Sequence, residues 1–272
     1  MDFPTKLFGI VGYPLGHSMS PALHNWGFHE VDFPGVYLAW SEPEDKLTDF
    51  FNAVRTLKIL GGNITIPHKV AALKLVDKVT DRAKNIGAIN TYYWEGDNLC
   101  GENTDVIGFM APLKGKKFKH ALVLGAGGVS RAVLAGLKEL GVPSITLANR
   151  TQEKAATLGK EFGVTVIPWD ERMKPDADLI VNATSEGMKG DQVNMTPYEA
   201  SALAGRTGLV YDIVYNPLET RLIREAKAAG WQVESGLAMF VEQARAGFAL
   251  WTGGIEMPYE KAVEKVKHLL GL

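Results

Sequence analysis

Apolar and polar positions along the chain alternate between two periods. In the first hundred residues "LFGIVGY" (7–13), "GVYLAW" (35–40) and "ILGGNITI" (59–66) read as strands. "PALHNWGFHEV" (21–31), "PEDKLTDFFNAVRTL" (43–57) and "HKVAALKLVD" (68–77) read as the helices between and after them. Ser20 is placed to act as an N-cap and Pro21 to open the first of these helices. "INTYYWEGDNLCG" (89–101) reads as a hairpin turning at Gly96-Asp97-Asn98.

After the basic connector "KGKKFK" (114–119) a second series begins with strand "HALVLGA" (120–126), helix "VSRAVLAGLKELG" (129–141), strand "SITLANR" (144–150) and helix "TQEKAATLGKEFG" (151–163). Strands "VTVIPW" (164–169), "DLIVNAT" (178–184), "LVYDIV" (209–214) and "WQVES" (231–235) follow. Alternation of this kind predicts an α/β protein whose sheets are mostly parallel, with helical crossovers. "GLAMFVEQARAGFALWTGG" (236–254) and "PYEKAVEKVKHLLGL" (258–272) read as two closing helices with no strand between them. Such a pair must bury its apolar stripe, so it is expected to pack back on the first domain.

Length and composition narrow the function classes. A chain of 272 residues suits two domains. Twenty-nine basic side chains against 31 acidic ones leave no single-sign field, so neither nucleic acid nor a membrane surface is the expected partner. Cys100 stands alone, no Cys/His grouping has zinc spacing, and a metal is not expected. The first apolar run is broken by Gly9, Gly12 and Pro14, which fits neither a secretory core nor a spanning helix and points to a cytoplasmic protein.

The candidate chemistry lies at strand ends. In "LVLGAGGVSRA" (122–132), Gly125 and Gly127 follow an apolar strand and open a helix, where bare amides and the helix N-terminus favour a pyrophosphate. Ser130 replaces the third glycine of the usual fingerprint. The next strand ends "ANRT" without the carboxylate that an NAD site would place on the ribose. Asn149 is neutral and Arg150 offers a planar cation to a 2′-phosphate, with Thr151 able to cap the following helix and Lys154 adding charge one turn on. This predicts NADP over NAD. In the other half, Lys69 follows Pro67 at a strand end, in the company of Ser18, Ser20, Asn63, Thr65, Asn90 and Asp105. Hydroxyls, amides and a carboxylate gathered at the carboxyl ends of an open sheet suit a small polyhydroxylated ligand. His68 is a rival acid by residue type, but its neighbour's side chain should point elsewhere, so a packing role is expected.

The motifs "SMSPALHN", "NITIPHK", "GAINT", "GENTDVIGF", "GAGGVSRA", "NRT", "NATSEGM", "DIVYNPLET" and "GLAMFVEQA" run in order over nearly the whole chain, and with them it resembles the shikimate dehydrogenase family. The resemblance implies a substrate domain over 1–103, a Rossmann-type NADP-binding domain over 104–236, and helices over 237–272 returning to the first domain. It implies reversible reduction of 3-dehydroshikimate to shikimate in aromatic amino acid biosynthesis, by a monomer or homodimer. Lys69 and Asp105 become the catalytic pair. Ser18, Ser20, Thr65, Asn90 and Gln243 become substrate ligands, with Asn63 nearby and Tyr215 close to the carboxylate. On the cofactor side Gly125, Ala126, Gly127, Gly128 and Val129 hold the pyrophosphate, and Asn149, Arg150, Thr151 and Lys154 hold the adenosine phosphate. Thr184, Ser185, Met188, Ile213, Gly236 and Met239 line the nicotinamide end, the Asn and Thr of "NAT" (Asn182 and Thr184) being equally open to a strand-end turn with no ligand. Phe240 and Gly62 stand where the family more often has leucine. A quinate or aminoshikimate dehydrogenase, or a binding protein that has lost turnover, are the alternatives.

Overall fold

The structure, a computed structural model, describes residues 5–16 and 18–272. The chain divides into two compact units, Met1–Ile107 with Val241–Leu272, and Gly108–Phe240. The divisions fall inside two helices, α4 (Thr104–Met110) and α8 (Gly236–Thr252).

In the first unit β1 (Lys6–Gly12), α1 (Ser20–Glu30), β2 (Gly35–Ser41), α2 (Leu47–Thr56) and β3 (Gly61–Ile64) follow the predicted alternation. They are followed by β4 (Lys78–Val79), α3 (Asp81–Ile86), β5 (Thr91–Glu95) and β6 (Asn98–Glu102), and after the second unit by α8 and α9 (Tyr259–Leu269). The sheet order is β2-β1-β3-β5-β6-β4. β1 pairs in parallel with β2 and β3, and β4 with β6; β5 runs antiparallel to both its neighbours.

Local rules account for most of these elements. Helix α2 buries Leu47, Phe50, Phe51 and Val54, the spacing of one helical face, into a core shared with Val11, Ile64, Tyr92 and Leu99. The β5–β6 hairpin turns through Gly96 and Asp97, with Gly96 at φ 60° where a side chain would be strained.

Two expectations are corrected. Ser20 lies inside α1, which Met19 precedes, and the hydroxyl near the start is that of Ser18, whose Oγ accepts from the Ser20 N–H at 3.3 Å. Residues 68–77 form turns and a single 3₁₀ segment, Ala71–Lys74, in place of a helix. Leu73, Leu75 and Val76 still pack on the core, but Asp77 is drawn to β6 by a two-way exchange. Its N–H reaches the Leu99 carbonyl at 2.7 Å and its carboxylate takes the Leu99 N–H at 2.7 Å, while Arg55 clamps that carboxylate with two 2.9 Å bonds. Helix nucleation over so short a run does not compete with those bonds.

Glycine sets the depth at which the sheet packs. Gly9 and Gly62 lie opposite each other on β1 and β3, and a Cβ at Gly62 would sit 2.0 Å from the Gly9 carbonyl oxygen. Beside them Gly61 makes room for Trp251 of α8, where a Cβ would meet the indole at 2.4 Å. The Trp251 Nε1–H is shared between the Thr91 Oγ1 at 3.0 Å and the Tyr92 carbonyl at 3.1 Å, which fixes α8 to the sheet. His24 is fully buried beside Trp251, stacks on Tyr37 at 4.6 Å, and is kept neutral by burial, which lowers its pKa to about 3.

The second unit contains β7 (His120–Leu124), α5 (Ser130–Glu139), β8 (Ser144–Ala148), α6 (Gln152–Phe162), β9 (Thr165–Ile167), β10 (Leu179–Asn182), β11 (Leu209–Asp212), α7 (Arg221–Ala228) and β12 (Gln232–Ser235). All its strands are parallel, in the order β12-β11-β10-β7-β8-β9. This is the doubly wound dinucleotide-binding order, with the switch point between β7 and β10. Among the described residues no helix is long and apolar enough to cross a membrane.

Gly62→Ala is expected to destabilise the fold by at least about 1–3 kcal/mol, the range for overpacking, because its Cβ meets backbone that cannot rotate away. Urea unfolding monitored by tryptophan fluorescence measures this, and an unchanged midpoint contradicts it.

Candidate active site

In the first unit the antiparallel hairpin adds to the carboxyl-end rule. β5 begins where β3 ends, with Thr91 opposite Asn63, so Asn90 sits at the same sheet edge as the residues following β1, β3 and β6. The Ile64 N–H bonds the Asn90 carbonyl at 2.7 Å, locking that edge.

Here Lys69 Nζ lies 2.6 Å from Asp105 Oδ2, and the two side chains are only 15% and 11% exposed. The other carboxylate oxygen accepts from Asn90 Nδ2 at 2.9 Å, and the Asp105 N–H bonds the Asn103 side chain at 3.2 Å. Asn90 is held in turn: its Oδ1 accepts from the Thr104 N–H at 2.7 Å, and its Nδ2 also donates to Thr104 Oγ1 at 3.0 Å. Tyr37 donates to Asn63 Oδ1 at 2.6 Å, and Asn63 Nδ2 reaches the Asn90 carbonyl at 3.4 Å. A near-buried ion pair therefore sits at the end of a hydrogen-bonded chain that leaves the lysine two further N–H donors. His68 Nε2 is turned to the Glu42 carbonyl at 2.8 Å, buried away from this group. Ser18, Ser20 and Thr65 stand on the segments following β1 and β3, and Gln243 lies on α8.

In the second unit the glycine loop is built for close approach. Gly125 has φ 109°, and a Cβ there would press to 2.8 Å from the Ala183 carbonyl oxygen, whereas a Cβ at Gly127 would project into open space. Ser130 Oγ donates to the Gly125 carbonyl at 2.8 Å and accepts the Gly127 N–H at 3.0 Å; Asn149 Oδ1 accepts the Ala126 N–H at 3.0 Å. An open cavity of about 350 Å³ beside the loop is lined by Ala126, Gly127, Arg131, Glu153, Lys154 and Thr157. A bare loop at the start of α5, with cations along the cavity, fits the pyrophosphate and adenosine phosphate of NADP. Thr151 precedes α6 as its N-cap residue, but its hydroxyl makes no capping bond.

The loops after β10 and β11 are fastened by Asp212. Its Oδ1 accepts from Asn182 Nδ2 at 2.9 Å and from the Val214 N–H at 3.1 Å, and its Oδ2 from Thr220 Oγ1 at 2.6 Å. Asn182 Oδ1 takes both the N–H and the hydroxyl of Thr184, at 2.9 and 2.7 Å. Ser185 bonds Gln192, and Met188 is half exposed. Gly236 packs so tightly on Ile213 that a Cβ would lie 2.0 Å from its carbonyl oxygen; Met239 is buried, and Tyr215 stacks on Phe240 at 4.6 Å. Among the described residues no group of three His, Cys, Asp or Glu is arranged to hold a metal.

Three family models match the chain: the shikimate dehydrogenase substrate binding domain over residues 10–92, shikimate / quinate 5-dehydrogenase over 111–204, and the shikimate 5'-dehydrogenase C-terminal domain over 236–267. The shikimate dehydrogenase (NADP(+)) of Pelobacter propionicus is 50% identical over 252 residues, 91% of each chain. The chain belongs to the shikimate dehydrogenase family. The Maridesulfovibrio salexigens shikimate dehydrogenase (NADP(+)) is 46% identical over 96% of each chain. A crystal structure of the Thermus thermophilus shikimate 5-dehydrogenase, in complex with NADP(H) and shikimate, superposes with a TM-score of 0.87 at 37% identity, covering 97% of this chain and 99% of that one.

Within this member of the family, Lys69, Asp105, Asn90 and Asn63 are joined by hydrogen bonds. The residues that hold them there, Tyr37, Asn103 and Thr104, were not singled out from the sequence, and neither were Asp212 and Thr220, whereas Asn182 makes with Thr184 the strand-end turn that "NAT" allows. Asn103, Thr104 and Asp212 lie within "GENTDVIGF" and "DIVYNPLET", each one or two positions from a residue that was named, while Thr220 closes the second motif five positions past Tyr215. Phe240, a departure by residue type, is accounted for by its stack on Tyr215.

Burial pushes the Asp212 carboxyl up to about 6 from its ordinary 3.8, against the pull of its hydrogen bonds from Thr220, Val214 and Asn182. The folded chain thus binds this proton more tightly than the unfolded chain, so the stability the group contributes is full below pH 3.8 and is lost as pH rises through 6. Asp212→Asn abolishes that dependence. Between pH 6 and 4 the parent chain is expected to gain about 1–3 kcal/mol on the variant. Urea titrations at several pH values measure the difference, and parallel curves refute it.

Proposed function

We propose that this chain catalyses the reversible NADPH-dependent reduction of 3-dehydroshikimate to shikimate, on the route to chorismate and the aromatic amino acids. The observation that carries the reading is the Lys69–Asp105 pair, 2.6 Å apart and braced by Asn90, in a chain of the shikimate dehydrogenase family. The first unit is read as the substrate domain and the second as the NADP domain.

NADPH, when bound, supplies the hydride. The protein's task is the substrate oxygen, which gains negative charge as the ketone is reduced and needs a proton donor within reach. Lys69 is that donor, its ammonium both protonating the oxygen and stabilising the developing charge. Asp105 fixes the lysine head group through one oxygen, and its other is held by Asn90, so the pair requires little reorganisation as charge develops. In the oxidative direction the neutral amine acts as base. Ser18, Ser20, Asn63, Thr65, Asn90 and Gln243 of the first unit supply polar groups for the hydroxyls and carboxylate of the substrate. Ala126 to Val129 and Arg150 hold the phosphates, with Ser130 and Asn149 shaping the loop. The enzyme works in the cytoplasm, where NADPH is regenerated, as a monomer or homodimer.

Oxidation of shikimate and of quinate, each with NADP⁺ and NAD⁺, tests the reading. The highest kcat/KM is expected for shikimate with NADP⁺. Preference for quinate selects the neighbouring activity, and nucleotide binding without turnover selects a binding protein.

For Lys69→Ala, kcat is expected to fall roughly 10²–10⁴-fold with little change in the KM for shikimate, because the lost interaction matures in the transition state. Steady-state kinetics decide, and a loss confined to KM contradicts the assigned role.

A further inference from the structure

Glu186 is a carboxylate that the reaction does not use, on a loop that the cofactor reading does. It follows β10, while Arg150 follows β8, and the two strands flank β7 in the same parallel sheet. Both residues therefore rise from the carboxyl edge. The backbone of Glu186 is pinned on both sides: its N–H bonds Thr184 Oγ1 at 3.1 Å and its carbonyl accepts from Asn182 Nδ2 at 3.1 Å. Its side chain is only 7% exposed, and among the described residues its ionic partner is Arg150, with Nη1 at 3.9 Å from Oε1. Arg150 itself is 60% exposed.

This is an unequal pair. A carboxylate almost out of water is stabilised by a nearby cation, whereas an exposed guanidinium does not depend on this one carboxylate. At 3.9 Å the contact is looser than a hydrogen bond, so the five N–H donors of the guanidinium remain available for something better. A phosphate, taken up by two parallel N–H bonds, is better. The other charges nearby do not alter this: Arg131 is engaged by Glu161 at 2.6 Å, and Glu153 and Lys154, of opposite sign, line the same cavity.

We propose that Glu186 is a specificity-setting residue that acts through Arg150, an internal anion with which the 2′-phosphate of the nucleotide must compete. The inference rests on the reading of Arg150 as the 2′-phosphate ligand. A nucleotide bearing that phosphate brings negative charge to a cation already facing a fixed carboxylate and binds less tightly than the cation alone allows. A nucleotide without it leaves the Glu186–Arg150 pair undisturbed. The carboxylate thus lowers the margin by which the chain prefers NADP over NAD.

The test is equilibrium calorimetry with adenosine 2′,5′-bisphosphate, ADP, NADP⁺ and NAD⁺ at one fixed ionic strength. The proteins are the parent chain, Glu186→Gln, Arg150→Ala and the double variant. Glutamine keeps the size of the side chain and removes its charge. Glu186→Gln is expected to bind the bisphosphate and NADP⁺ about three- to tenfold more tightly, with ADP and NAD⁺ within about twofold of the parent. A general disturbance of the loop would move all four ligands together. In the Arg150→Ala background the gain from Glu186→Gln is expected to shrink below about twofold, the signature of coupling through the guanidinium. Unchanged or weaker binding of the bisphosphate to Glu186→Gln overturns the inference, as does an equal gain for ADP. If Arg150→Ala fails to weaken the bisphosphate, the assignment of Arg150 falls and this inference falls with it. If Arg150→Ala weakens the bisphosphate and Glu186→Gln does not tighten it, the inference alone falls.

Discussion

An ammonium and a carboxylate held together almost out of water are costly to desolvate, and their mutual attraction offsets that cost only if the remaining polar atoms are also satisfied. The Lys69–Asp105 pair is under this constraint, and much of the first unit's active edge is arranged to meet it. The second carboxylate oxygen goes to Asn90, the amide oxygen of Asn90 to the Thr104 N–H, and the Asp105 N–H to Asn103. Because Asn90 precedes β5 and Asp105 follows β6, the hairpin between them is what makes these bonds possible. The same edge is closed on its other side by Asn63, fixed by the Tyr37 hydroxyl.

The second unit solves a related problem without a cation. Asp212 is fully buried, with hydrogen bonds from Asn182, Val214 and Thr220 in place of an opposite charge, and burial still outweighs them in raising its pKa. One carboxylate thereby ties together two loops and the start of α7, since Thr220 Oγ1 also accepts the Ile223 N–H at 3.3 Å. The loops that carry Thr184, Ser185 and Ile213 are thus set by a group with no part in the chemistry. Glu186, one loop position on, contrasts with it: its backbone is fastened in the same way, but its carboxylate is left facing a cation at a distance.

How much of this was legible depended on range. The parallel alternation, the glycine loop and the positions of Lys69 and Asp105 just past strands follow from periodicity and turn chemistry, which operate over a few residues; Asn90 stands just before β5 and reaches their edge only because β5 runs antiparallel to β3. The elements α3, α4, α7 and β4 are too short for a period to show in the sequence. Helix α7, for example, is eight residues long and buries Leu222, Ile223 and Ala226 on one face of a charged segment, so its pattern spans barely two turns. The helix expected over 68–77 failed because Asp77 pairs with Leu99 of β6, twenty-two positions away.

The sequence by itself determined the class of fold, the nucleotide loop, and the list of groups from which a site is made, because glycine, proline, hydroxyl and amide side chains carry local conformational and hydrogen-bonding requirements with them. Only the tertiary structure decided which groups meet. That Tyr37 orients Asn63, that Gly62 can have no side chain against Gly9, and that Glu186 faces Arg150 all depend on strand order and register. Register is settled by the packing of whole faces, so no short stretch of the chain records it.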